Sequence, residues 1–131
     1  MHTSIRTKAI AFALMLLATS SAWAEWVKIG SSSSGKITYY IDPATIRKNG
    51  NLRTVWAIQN LFSPDKDGIA SQRVKQEYDC ELERVRWLSS SFHSKSMADG
   101  KVLFGNDAIS NWKAVPPQTA ISDILKIVCG E

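Results

Sequence analysis

Apolar and polar positions alternate with a period of two over much of the chain, a pattern that predicts strands. Glu25–Ile29 (EWVKI) alternates weakly and reads as a first strand. Beyond the polar turn Ser31–Gly35, Lys36–Ile41 (KITYYI) has the β-branched and aromatic content of a second. Asp42-Pro43-Ala44-Thr45 has the form of an N-cap aspartate with proline at N1, which predicts one short helical turn ended by Asn49-Gly50. Leu52–Phe62 (LRTVWAIQNLF) is the strongest strand. Its Val55-Trp56-Ala57-Ile58 stretch is apolar on both faces, as in a central strand covered twice.

Ser63–Gly68 is loop, and from Ser71 to Ser94 neither glycine nor proline occurs. That stretch reads as one long bent strand or two strands joined by a bulge. Val74, Tyr78, Cys80 and Leu82 share the even face, opposite Arg73, Lys75, Glu77, Asp79, Glu81 and Glu83. Farther on, the apolar Val85 and Trp87 are odd while Arg84 and Arg86 are even. Side chains alternate strictly on a regular strand, so either a β-bulge near residues 83–85 shifts the pattern or both faces are partly covered.

Asp99-Gly100 is a turn signal before a short strand at Val102–Phe104. Pro116-Pro117 opens the one clear helix, in which Ile121, Ile124, Leu125 and Val128 recur at i, i+3, i+4 and i+7. Gly130 stops it. The expected architecture is α+β: a single antiparallel sheet of about six strands with a C-terminal helix packed on one face. One helix cannot cover both faces of such a sheet, and Trp56, Val85 and Trp87 make the second face partly apolar. A second copy of the chain is one cover for it, so a homodimer is among the expectations.

The N-terminus changes how the composition is read. Met1–Lys8 is basic, Ala9–Ala18 is a ten-residue apolar run, and Ala22-Trp23-Ala24 places small residues before Glu25, which together form a secretory signal peptide over residues 1–24. Ten apolar residues are too few to span a bilayer. No later segment is long and apolar enough to do so, so no transmembrane segment is expected. With Arg6 and Lys8 removed, the formal charge falls from +4 to +2. Charge therefore gives no support to nucleic-acid binding, and export argues against it. Residues 25–131 suit one small domain. The expected location is periplasmic or secreted. No cysteine follows the apolar run to accept a lipid, which leaves surface attachment unsupported. In an oxidising compartment, Cys80 and Cys129, the only cysteines, are most simply read as one disulfide.

Candidate chemistry is sparse. His93 is the one histidine beyond the leader and lies in a Ser/Lys-rich stretch near a strand end, where solvent exposure is ordinary. No G-x-S-x-G elbow and no glycine-rich phosphate loop occurs. Two cysteines 49 positions apart with one histidine make no metal-ligand set. No catalytic residue, metal or cofactor is therefore assigned. Arg73, Lys75, Arg84 and Arg86 are the candidate ligand contacts, a basic stripe that would attract acidic glycans, anionic proteins or phosphates. Interleaved Glu77, Asp79, Glu81 and Glu83 favour an ordinary mixed-charge surface.

The order of features resembles a known family. Tyr39-Tyr40-Ile41-Asp42 is followed by Val55-Trp56-Ala57-Ile58, Glu77-Tyr78-Asp79-Cys80, Arg84-x-Arg86-x-Leu88, Trp112-Lys113-Ala114-Val115-Pro116-Pro117 and a terminal Ile-Val-Cys129. This series is similar to the surface-adhesin protein E family of Gram-negative bacteria over nearly all of residues 25–131. The resemblance implies a six-stranded antiparallel sheet, a C-terminal helix tied to it by a Cys80–Cys129 disulfide, dimers, and binding of host extracellular matrix and serum glycoproteins. The leading expectation is an exported, non-enzymatic binding protein. Its rivals are a periplasmic structural or envelope protein without a host ligand, a small secreted hydrolase inhibitor, and an enzyme using His93.

Overall fold

The computed structural model describes residues 24–130. The expected leader lies outside the described residues except for Ala24. Six strands follow one another across a single antiparallel sheet: β1 (Val27–Ser31), β2 (Ile37–Asn49), β3 (Leu52–Leu61), β4 (Ser71–Asp79), β5 (Arg84–His93) and β6 (Val102–Asn106). A two-residue strand, β7 (Lys113–Ala114), pairs with the start of β5. The chain ends in one helix, α1 (Ala120–Cys129). This is the α+β architecture expected from the sequence.

Directly paired residues share a face, so the register sorts the side chains. Ile41, Val55, Ala57, Val74, Tyr78 and Val85 form a buried cluster with Ile124, Leu125 and Val128 of α1. Burying those three helical side chains contributes about 5–8 kcal/mol. The helix begins three residues after the prolines because Thr119 supplies the cap: its hydroxyl accepts from Ser122 N (3.1 Å), and the Ser122 hydroxyl accepts from Thr119 N (3.0 Å). At the other end Gly130 N donates to Lys126 O, and Cys129 is bonded to Cys80.

Two local expectations are corrected. Asp42–Thr45 is not a helical turn but an irregularity within β2, where the register jumps from Asp42↔Trp56 to Arg47↔Thr54. The Asp42 carboxylate accepts from Ala44 N (3.2 Å), as it would at a helix cap, but pairing with β3 on both sides keeps the backbone in the sheet. Thr45 Oγ1 replaces a missing ladder partner, donating to Asp42 O (2.7 Å) and accepting from Trp56 N (3.0 Å). Ser71–Ser94, in turn, is neither a bent strand nor a bulged one. It is a hairpin that reverses at residues 80–83, where the Asp79 carboxylate accepts from Glu81 N and Leu82 N and Glu83 takes φ +50°. The change of parity is therefore a chain reversal, and Leu82, expected on the core face, is exposed at its tip. A bulge does exist, but at Leu88, between the Gln76↔Trp87 and Lys75↔Ser89 pairs.

The face away from the helix, here called the outer face, is covered at one end by the chain itself. Ile58 lies on it, paired with Arg73, and is fully buried. The connection after β5 folds across this end: Met97 N donates to Asn60 Oδ1, Ala98 N donates to the Ser71 hydroxyl, and that hydroxyl donates to Lys95 O. Central-strand burial on both sides is thus achieved within one chain. Exposed large apolar residues are found instead along β6, at Val102, Leu103 and Phe104, and at Phe62 and Ile109.

Candidate functional site: the outer face of the sheet

The β3–β4–β5 register places Thr54 beside Glu77 and Arg86, Trp56 beside Lys75 and Ser89, and Ile58 beside Arg73 and Ser91. Asp79 and Arg84 complete the row. All four candidate contacts, Arg73, Lys75, Arg84 and Arg86, therefore stand on one face, as the alternation of the sequence implies for each strand.

The structure divides them into two kinds. Arg84 Nε lies 3.0 Å from Asp79 Oδ2, and Arg86 Nη2 lies 2.7 Å from Glu77 Oε1. Both guanidinium groups also lie over the Trp112 ring, at 4.4 and 4.3 Å from its centroid. Trp112 is held there because its segment runs beside β5: Trp87 N donates to the Ser110 hydroxyl, Ser110 N donates to Trp87 O, and Val115 N donates to Glu83 O. Pairs of this kind, with the guanidinium partly open to solvent, contribute about 1 kcal/mol each, and stacking on the partly buried ring a similar amount. Their main effect is to neutralise this end of the row and fix its shape. The Asp79 carboxyl is held below its ordinary range, chiefly by the Leu82 N–H, with the Arg84 guanidinium and Glu81 N–H adding to it against the opposing effect of burial.

Arg73 and Lys75 differ. Neither has a carboxylate within ion-pair distance among the described residues. Arg73 lies over the Trp56 ring, 3.8 Å from its centroid. Trp56 and Trp112 were not singled out as site residues from the sequence. The one available signal was parity, since Trp56 falls on the same alternation as Arg73 and Lys75 once the strands are paired.

His93 departs from expectation. It is buried, not solvated, with Nε2 2.8 Å from the Ser91 hydroxyl and Nδ1 without a protein partner. Burial, and then the positive charge of Arg73, lower its pKa. A serine–histidine pair whose second ring nitrogen meets no carboxylate lacks the orienting acid of a hydrolytic triad. No group of three or more potential metal ligands occurs among the described residues, and no helix there is long and apolar enough to cross a membrane. A cavity of about 430 Å³ lies elsewhere, between Ser31–Ser33 and the start of α1, and Asp123 is the one charged group lining it.

Residues 26–130 match the family model described as surface-adhesin protein E. The chain belongs to that family. Three solved structures of Haemophilus influenzae protein E share the fold of this family member. Crystal form II is 14% identical with a TM-score of 0.56, covering 85% of this chain and 91% of that one. The selenomethionine form is 14% identical with a TM-score of 0.58, covering 85% and 90%. Protein E from non-typeable H. influenzae is 13% identical with a TM-score of 0.54, covering 85% and 79%. Comparison with curated proteins finds no relative. Membership places the chain among adhesin-type proteins, and its antiparallel sheet, C-terminal helix and Cys80–Cys129 disulfide are those the resemblance implies.

Proposed function

We propose that this adhesin E family member is an exported, non-enzymatic binding protein that contacts acidic surfaces of host matrix or serum glycoproteins through its outer face. The observation that carries this reading is the pair Arg73 and Lys75, two cations without carboxylate partners among the described residues, beside the Trp56 ring on one face of the sheet. Arg84 and Arg86 flank this patch in neutralised form, so they shape the contact more than they charge it. An interface of this kind gains much of its rate and selectivity from charge complementarity.

Binding of the purified protein to a panel of immobilised matrix and serum glycoproteins tests the reading. Arg73→Glu with Lys75→Glu should abolish binding that wild type shows and that weakens with added salt, whereas Arg84→Gln should reduce it only slightly. Salt-insensitive binding, unchanged by the Arg73/Lys75 substitutions, would refute the assignment of this face.

A second reading is supported by Ala24-Glu25, which stands where a lipid-accepting cysteine would follow the apolar run. It makes the protein a periplasmic structural component with no host ligand. Surface proteolysis of intact cells with fractionation separates the two. Protection from protease, with none of the protein in the medium, favours the second. A homodimer remains part of the proposal, with exposed β6 rather than the outer face as the surface available for it.

A further inference from the structure

The irregularity in β2 also creates a cavity. It is an open depression of about 210 Å³ lined by Thr45, Arg47, Thr54, Val55, Trp56 and Lys75. We infer that this cavity is a subsite for a single pyranose ring bearing a carboxylate, such as a hexuronate or an ulosonate.

Its size is that of one sugar ring and below the roughly 300–1,000 Å³ of sites for larger small molecules. Two cations line it and no carboxylate does. Arg47 Nη1 donates to Ala44 O and Ile46 O, both at 2.9 Å, which anchors the guanidinium against the irregular segment while its remaining N–H groups stay available. Lys75 has no ion-pair partner among the described residues. Trp56 forms an aromatic wall. In the register Arg73 pairs with Ile58 on one side of Trp56, and the cavity lies on the other, toward Thr54. The backbone of Trp56 is fixed as well, since its N–H is bonded to Thr45 Oγ1. Thr54 adds a hydroxyl to the lining.

This combination selects among ligand classes. A bare sulfate or phosphate would use the cations and leave the indole unused. A neutral sugar would use the indole and the hydroxyl and leave two cations uncompensated. A sugar carboxylate uses all of them, with charge-assisted hydrogen bonds at one end and C–H contact with the ring at the other. The inference rests on the cavity itself and holds whether or not the outer face also binds a protein.

The test is a titration of isotope-labelled, disulfide-bonded protein, followed through the Trp56 indole N–H and the Thr54 amide. The probes are methyl glucuronide, an ulosonate glycoside, methyl glucoside and inorganic sulfate. Saturable shifts are expected with at least one of the acids, at a dissociation constant of about a millimolar, and the tighter of the two identifies the type of polysaccharide that supplies the ring. Lys75→Gln should weaken binding roughly tenfold, the loss of one charge-assisted hydrogen bond. Arg47→Lys, which keeps the charge, should retain most of it. Lys126→Gln, which removes a charge on the helix, should leave it unchanged. Absence of saturation with both acids at about 50 mM overturns the inference. So does an equal response to methyl glucoside or to sulfate, or binding that Lys75→Gln does not alter. Loss of protein binding in Arg73→Glu with intact sugar binding would show that the two sites are separate.

Discussion

Replacing Cys80 and Cys129 by serine removes the covalent tie between the β4–β5 turn and the last turn of α1. The tie joins positions 49 apart, and closing a ring of that size in the unfolded chain stabilises the native state by about 4 kcal/mol in the chain-entropy model. A ten-residue helix does not persist alone in water, so without the bridge its docking depends on Ile124, Leu125 and Val128. Their burial, about 5–8 kcal/mol, exceeds the contribution of the bridge. The double variant should therefore still fold with its helix docked, and the loss should appear as lower global stability. For a domain of this length about 4 kcal/mol corresponds to a fall in Tm of roughly 15–30 °C. Urea unfolding followed at once by far-UV and near-UV circular dichroism measures both quantities. Coincident transitions at a lower midpoint support the reasoning. A separate early loss of helical signal would refute it by showing that the bridge holds the helix in place, and a change below about 1 kcal/mol would refute the unfolded-state account.

Three further outcomes follow from buried or partly buried polar groups. Gln76 is fully buried with its Nε2 unpartnered, while its Oε1 accepts from the Tyr78 hydroxyl at 2.8 Å; Gln76→Met strands that hydroxyl and should cost about 1–3 kcal/mol, and adding Tyr78→Phe should recover most of the loss in chemical denaturation. His93 has a folded pKa below its ordinary 6.5, so the unfolded chain binds the proton more readily and stability falls as pH drops from 6.5 toward the folded value, by up to about 1.4 kcal/mol per pH unit. His93→Gln should flatten that part of a stability-versus-pH curve, and an unchanged slope would disprove the contribution. Asp79 has a folded pKa below 3.8, so its stabilisation is present at neutral pH and disappears as acidification passes through the folded value; in acid titrations Asp79→Asn should converge with wild type below that point.

Much of the fold was legible because alternation and helical periodicity are local. The first half of β2, the strand at Leu52–Leu61, the turn at Asp99-Gly100 and the apolar stripe of α1 all follow from spacing. The misreadings share one chemistry. Asp42 and Asp79 both accept from backbone N–H groups two or three residues ahead, which is the same local motif in a helix cap, in a β irregularity and in a hairpin turn. Only cross-strand pairing distinguishes these, and pairing is nonlocal. For the same reason the sequence placed Arg73, Lys75, Arg84 and Arg86 on strands without showing which were neutralised. Glu77 meets Arg86 across nine positions and Trp112 reaches Arg84 across 28, and neither spacing carries a signature. His93 was misjudged because its neighbours in sequence are polar and serine-rich, whereas the connection after it folds back onto Ser71, its cross-strand partner, through hydrogen bonds that no local pattern announces.

The consecutive order of the strands has a consequence for how the molecule is made. Each strand from β2 to β6 pairs with the one before it, so hairpins can form in sequence as the chain emerges N-terminus first. The surface carrying Ile41, Val55, Val74 and Tyr78 has no lid until the last ten helical residues arrive. Cys80 likewise waits for Cys129. A chain stopped short of residue 120 would thus be a sticky half-product with a free, oxidisable thiol at Cys80, open to proteases along the whole of that surface. Arrival of α1 is what seals it.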